Sequence, residues 1–381
     1  TFKGMSTQQG IKFMKHLLFC SVLSALCAVS ASGATVTVPS TYDEASGQWI
    51  GDVVALTNAL ATTAKNSTIF LEKGVYDLTP LKDSPMYVNT SDYGNAILKA
   101  KNAGIKIKGQ TGNPADVILT VSDTTIRVLV LNGSTGCGVY DLTITGGNAT
   151  SGSSNYRTGG AVGLDSSTVV SNCVFYGNKA STAGGAASGL SADGKKGTVY
   201  DCVFYGNNST QKGAAAAHST FRNCVFSNNQ VAAGSSYSGS IVWTATLYGC
   251  TLTNNCANGC GGARDCTVYN SKFFNNQDRS TNYSNPGGGG ARDSDCSGCY
   301  FYGNTTARLG GAVRGGSLSN CVVISNRTRA ASDDSPLGGG VYEASSVVGC
   351  LIASNYTEGA GGGLWKCPYV CNVTSSYNRA E

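Results

Sequence analysis

Arg264-Asp265 and Arg292-Asp293-Ser294-Asp295 each follow a Gly-Gly-Ala phrase, and Arg314 stands just beyond a third such phrase. Carboxylates from neighbouring chain segments can hold a hard cation such as Ca²⁺. An arginine beside the acidic carbon of a uronate could serve as a base for elimination. The same residues also suit a solvent-facing ladder in which opposite charges neutralise one another from strand to strand. Both arrangements stay open on the sequence.

Tyr176, Tyr205 and Tyr302 form a second set, each at one place in a Phe-Tyr-Gly-Asn phrase. Alternation along a strand turns them away from the neighbouring phenylalanines. Exposed rings can stack on sugar faces while their hydroxyls form hydrogen bonds. Tyrosine equally suits an outward strand position. His218, between Ala217 and Ser219, reads as a turn or solvent-facing residue, and Asp333-Asp334 as a solvated loop pair. Cys256, Cys260 and Cys266 have no histidine nearby and lack zinc-knuckle spacing, so no metal site is expected. No cofactor is expected either, apart from Ca²⁺ under the elimination reading.

The elements that must position these residues come from a repeat. A phrase of the form Cys-x-Phe-x-x-Asn recurs, with looser copies, at Asn178, Asn207, Asn229, Asn255, Asn276, Asn304, Asn326, Asn355 and Asn378. The asparagines lie 21 to 29 residues apart, 25 on average. Such a period marks an array of stacked units. The units carry short runs of Val, Phe, Tyr, Thr and Cys with period-two alternation, broken by Gly, Asn and Ser. That is strand-and-turn chemistry. The expected fold is all-β: a single-stranded, right-handed parallel β-helix solenoid, with three strands per coil and a short N-terminal capping helix.

Stacking predicts which side chains meet. The nine asparagines should form an amide ladder at a corner, in the left-handed backbone conformation that asparagine tolerates. Phe175, Phe204, Phe226, Phe273 and Phe301 should stack inside. The pairs Gly159-Gly160, Gly184-Gly185, Gly261-Gly262, Gly289-Gly290, Gly310-Gly311 and Gly339-Gly340 should supply positive φ at a second corner. Cys173, Cys202, Cys224, Cys250, Cys299, Cys321 and Cys350 share one repeat position, where Ser271 and Val373 replace cysteine in other coils. That reads as a buried, unpaired, space-filling column. A bridge within the group Cys256, Cys260, Cys266 and Cys296, and the state of Cys367 and Cys371, stay open.

Residues 1–34 read as upstream residues and a secretory signal, with Lys15, an apolar run from Leu17 to Val29, and Ser32-Gly33-Ala34 as the cleavage site. Its apolar core is too short for a membrane span. Residues 35–381 read as one β-helix domain that continues past Glu381. Within it, 35–137 form the cap and irregular first coils, with a loop after Val38 and a helix from about Asp52, and 138–381 form the regular repeats. Lys3, Lys12 and Lys15 supply three of the five net positive charges, so the β-helix domain carries no basic footprint of a nucleic-acid binder.

The entry segment, with Ile69-Phe70-Leu71 and Val75-Tyr76-Asp77-Leu78, resembles the start of pectate-lyase-like β-helix proteins. Gly159-Gly160-Ala161-Val162 and Gly310-Gly311-Ala312-Val313, together with the Phe-x-x-Asn phrases, resemble the repeats of chlamydial-type polymorphic outer-membrane proteins. The second resemblance implies a secreted or surface-displayed, adhesin-like module at the cell surface or outer membrane, contacting glycans or a host receptor. The first implies, as an alternative, a Ca²⁺-dependent polyuronate lyase built on Arg264, Asp265, Arg292, Asp293, Asp295 and Arg314. The Gly-His-Gly and Arg-Ile-Lys phrases of polygalacturonase-like enzymes are absent. A purely structural envelope protein is the third expectation.

Overall fold

The computed structural model describes residues 33–88, 95–131, 136–151, 157–189, 197–231, 239–280, 287–330 and 336–381. The secretory-signal reading, apart from its last two residues, and Asp333-Asp334 lie outside the described residues.

Each regular coil contributes four short strands, one to each of four sheets, rather than the three expected. One coil shows the plan: Val313–Arg314, Ser317–Ser319, Val322–Ile324 and Arg327–Thr328. The extra element is a two-residue strand directly after the ladder asparagine. The first sheet has 13 strands, the second 14, the third 10 and the fourth 11. The coil-to-coil pairings are parallel and in register, so Phe175 pairs with Phe204 and Phe204 with Phe226. The fold is therefore a parallel β-helix. Twelve steps along the first sheet at about 4.8 Å each span roughly 58 Å.

Alternation sets the core. In Val174–Tyr176 only the central Phe175 is buried, and the same inward position holds Phe204, Phe226, Phe273 and Phe301. Their rings stack at 5.0 Å (Phe175–Phe204), 4.8 Å (Phe204–Phe226) and 4.6 Å (Phe273–Phe301). Each buried ring contributes about 2–3 kcal/mol. Leu252 occupies the rung between Phe226 and Phe273.

The asparagines stack as a continuous column. Asn207 donates from both its backbone N–H and its Nδ2 to Asn229 Oδ1, at 2.9 and 3.1 Å. Its Nδ2 also reaches the Phe175 carbonyl in the preceding coil, at 2.9 Å. None of the nine, however, adopts the expected left-handed conformation. The residue before each one does, as Gly177, Asn228, Asn254, Asn275 and Gly303 show. The reason is geometric: the sharp turn is completed one residue early, which leaves the asparagine extended enough to bond up and down the stack.

The glycine pairs also differ from expectation. Gly159, Gly184 and Gly310 have positive φ, but neither member of Gly261-Gly262, Gly289-Gly290 or Gly339-Gly340 does. There the requirement is close approach: a Cβ on Gly289 would sit 2.2 Å from the Gly311 carbonyl oxygen.

At the N-terminal end, helix α1 (Val53–Thr62) is capped by Asp52, whose carboxylate accepts from Ala55 N–H at 2.8 Å. Its buried Leu56 and Leu60 face the strands Thr35–Val38, Thr68–Leu71 and Ala96–Lys99. The expected loop after Val38 is instead an antiparallel hairpin, Ser40–Asp43 with Gln48–Gly51, held by the cross-strand rings of Tyr42 and Trp49 5.5 Å apart. All fourteen cysteines beyond residue 33 are free thiols, the Cys256 group included. In the shared column Cys173 N–H donates to Cys202 Sγ in the next coil.

Candidate functional site

The fourth sheet carries the site. Its strands point Val242, Ala263, Ala291, Val313 and Val341 into the core. The next residue of each, and Trp365 after the half-buried Leu364 of the last rung, points outward, and register lines these up as Trp243, Arg264, Arg292, Arg314, Tyr342 and Trp365 on six consecutive rungs. The column spans about 24 Å, five steps of ~4.8 Å. Although outward, it is recessed: Arg292 is only 6% and Tyr342 6% exposed.

A flanking column follows at the turn: His218, Thr244, Asp265, Asp293, Gly315, Glu343 and Lys366, all with positive φ. The turn aims each side chain back beside its neighbour. Arg292 Nε lies 3.0 Å from Asp293 Oδ2, and Arg264 Nε 3.4 Å from Asp265 Oδ2. Trp243 Nε1 donates to that same Asp265 oxygen at 3.0 Å. Lys212 Nζ sits 4.1 Å from the Trp243 ring centroid, and the His218 ring meets Trp243 edge-on at 4.6 Å. Lys366 pairs with Glu343 at 3.5 Å and lies 6.0 Å from the Tyr342 ring.

The electrostatics match a crowded cationic strip. Burial lowers the Arg314 pKa, and the Arg292 charge one rung away lowers it further. Lys212 is lowered too, by burial first and then by Arg264, with Asp265 opposing. Asp265 and Asp293 offset two of the three guanidinium charges on successive rungs, which leaves the strip a modest positive excess. An anionic group laid along the column would complement that excess.

Sequence reasoning placed Arg264, Asp265, Arg292, Asp293 and Arg314 together, and the structure brings these five onto adjacent rungs. Asp295 is not among them. The corner at Asp293 carries it onto the first sheet, where it accepts from Ser317 Oγ at 2.6 Å. Asp265 and Asp293, the carboxylates that the elimination reading would assign to Ca²⁺, sit beside their own arginines, and among the described residues no three acidic, histidine or cysteine side chains converge.

Tyr176 and Tyr205 are in-register neighbours on the second sheet, but Tyr302 stands four rungs beyond Tyr205. None of them touches the fourth-sheet column. Trp243, Tyr342, Trp365 and Lys212 were missed. For two of them the signal was present: in Gly-Gly-Gly-Val-Tyr-Glu and Gly-Gly-Gly-Leu-Trp-Lys, Tyr342 and Trp365 fill the slot held by arginine in other coils. A further outward stripe on the first sheet, Arg222, Tyr248 and Tyr269, is stacked on itself, with Arg222 4.0 Å from the Tyr248 ring and the two tyrosines 5.0 Å apart. Tyr248 is thus sandwiched between Arg222 and Tyr269, while Tyr269 stays exposed on its far side.

Among the described residues no helix is long and apolar enough to cross a membrane. No protein-family model matches the chain, and no curated protein does. Several solved structures are similar in shape. A tailspike protein of the Acinetobacter baumannii bacteriophage Fri1, a capsular polysaccharide depolymerase, shares 16% identity at a TM-score of 0.40, over 91% of this chain and 62% of its own. The catalytic unit of an alpha-1,3-glucanase from Streptomyces thermodiastaticus shares 13% at 0.43, over 92% and 72%. The A-module of a mannuronan C-5 epimerase from Azotobacter vinelandii shares 13% at 0.37, over 92% and 95%. This chain thus spans less than two thirds of the tailspike, and likeness of this degree places it in no family.

Proposed function

We propose that this chain is a secreted or surface-displayed glycan-binding module, adhesin-like, whose binding face is the recessed column from Trp243 to Trp365. The observation that carries the reading is the composition of that column: aromatic rings at both ends and three arginines between, on six consecutive rungs. Rings offer stacking surfaces for pyranose faces, and guanidinium groups form bidentate hydrogen bonds to carboxylates or paired hydroxyls.

The test is binding of the full chain to an array of neutral and acidic polysaccharides. Saturable, selective retention is expected, and Arg264→Gln should weaken it about ten-fold. Absence of retention on every glycan, or an Arg264→Gln protein that binds as well as the parent, overturns the reading. The same mixtures assayed for unsaturated sugar ends address polyuronate elimination. Product that appears with the parent and disappears with Arg292→Gln would replace binding by catalysis as the function. A purely architectural role would show neither retention nor product.

A further inference from the structure

The outward column of the fourth sheet does not begin at Trp243. Register continues it backwards through Ala217, Ser188 and Gly163, one rung at a time. These three are small and buried, although they stand at outward positions. An alanine leaves space above its own rung, and on that coil two larger residues occupy it. Lys212 lies ahead of the strand Ala216–Ala217 and reaches forward until its Nζ is 4.1 Å from the Trp243 ring centroid. His218, at the turn just after Ala217, sets its ring 4.6 Å from that of Trp243 and at 72° to it. Asp265, one rung further on, accepts from the indole Nε1 at 3.0 Å. The indole is therefore held in place by a cation, an imidazole and a carboxylate from three separate turns. Its neighbours Lys212 and His218 bracket the Ala217 rung from both corners.

We infer that Lys212, Trp243 and His218 form an end wall, so that the column takes the terminus of an acidic glycan chain rather than a stretch from its middle. This rests on the glycan-binding reading of the column and adds where along the chain it binds. A glycan following the recess from Arg314 through Arg292 and Arg264 meets the braced indole at the next rung. It cannot run on over Ala217, because Lys212 and His218 already fill the space there. A terminal sugar differs from an internal one by a free hydroxyl in place of a glycosidic link. At the wall that hydroxyl meets both kinds of partner: the Lys212 ammonium donates, and the Asp265 carboxylate accepts. Arg264, on the first rung inside the wall, supplies the charge that a terminal carboxylate needs.

Calorimetric titration of the full chain tests this, with polygalacturonate and alginate as probes. Each is used as a polymer many times longer than the ~24 Å column and as fragments just long enough to fill it. The two ends of a glycan chain differ chemically, so one protein per chain is expected at either length. The dissociation constants, expressed per chain, should agree within about two-fold. Several proteins on each long chain, in a number that grows with its length, would overturn the inference and leave the glycan reading standing. Trp243→Ala removes the indole and should weaken fragment and polymer alike, about ten-fold. Circular dichroism melts establish that the variant is folded, and a folded variant that binds fragments as tightly as the parent also overturns the inference. So does the absence of binding to both probes at every length; the glycan array then decides separately whether the column binds neutral sugars.

Discussion

The asparagine ladder and the arginine–aromatic column both place one side chain per coil along one axis, yet they obey opposite rules. From Asn178 to Asn355 the ladder repeats one residue and one hydrogen-bond scheme in coil after coil. The fourth-sheet column changes from Ala217 to Trp243, to arginine three times, then to Tyr342 and Trp365. Both are set by the same backbone register. A buried polar column must repeat, because each amide is satisfied only by the same amide above and below it. An outward column is under no such constraint, so change along it is where recognition can be written. In a solenoid, sameness marks the architecture and variation marks the candidate site.

The sharpest way to break that contrast is to interrupt the ladder at its middle. Asn229→Ala removes the acceptor for the Asn207 backbone N–H and Nδ2, and the donor to Phe204 O and Asn255 Oδ1. These groups are buried and out of reach of water. The expected loss is about 3–5 kcal/mol, measured by urea unfolding. A loss no larger than that of an exposed substitution would show that the ladder follows from the stacking rather than supporting it.

A second, smaller effect joins the two regions. Asp278 is 1% exposed and accepts from the backbone N–H groups of Gly259 (2.7 Å), Ser280 (2.9 Å) and Gly287 (2.9 Å), and from Thr306 Oγ1 at 3.0 Å. It therefore ties down both ends of the segment that leads into Arg292. Asp278→Ala should cost about 2–3 kcal/mol in unfolding. It should also weaken glycan retention at the arginine rungs, though residue 278 is buried away from the column. Unchanged retention in a destabilised protein would mean that the column is positioned by its sheet alone.

These features were legible in the sequence to different degrees, for physical reasons. The period, the Phe-x-x-Asn phrases and the shared cysteine position specify stacked strands because each repeats. The conformation of Asn178 was misjudged because an asparagine at a corner suggests φ > 0, whereas Gly177 before it makes the turn. The hairpin at Ser40–Gly51 was missed because it occurs once. Tyr342 and Trp365 escaped because rings there fill a slot whose charged occupants drew attention, and Trp243 because Gly239-Ser240-Ile241 breaks the Gly-Gly phrase before it. Asp295 was grouped with the arginines because it is near them in sequence, while the corner at Asp293 turns the chain onto another sheet.

The cysteine column gives the mildest expected effect and the finest discrimination. It is buried and repeats like the ladder, but it tolerates exchange: Ser271 occupies the position in one coil, accepting from Cys250 N–H at 3.0 Å and donating to Tyr269 O at 2.9 Å. Cys202 does the same with sulfur, accepting from Cys173 N–H at 3.3 Å and donating to Tyr200 O at 3.0 Å. Burial pushes the Cys202 thiol well above its ordinary pKa, so it stays a neutral filler. Cys202→Ser keeps both bonds and should shift stability by about 1 kcal/mol or less. Cys202→Ala strands the Cys173 N–H and should cost about 1–3 kcal/mol. If serine proved as damaging as alanine, volume and sulfur contacts would outweigh the hydrogen bond. The column would then belong with the invariant ladder rather than between it and the variable face.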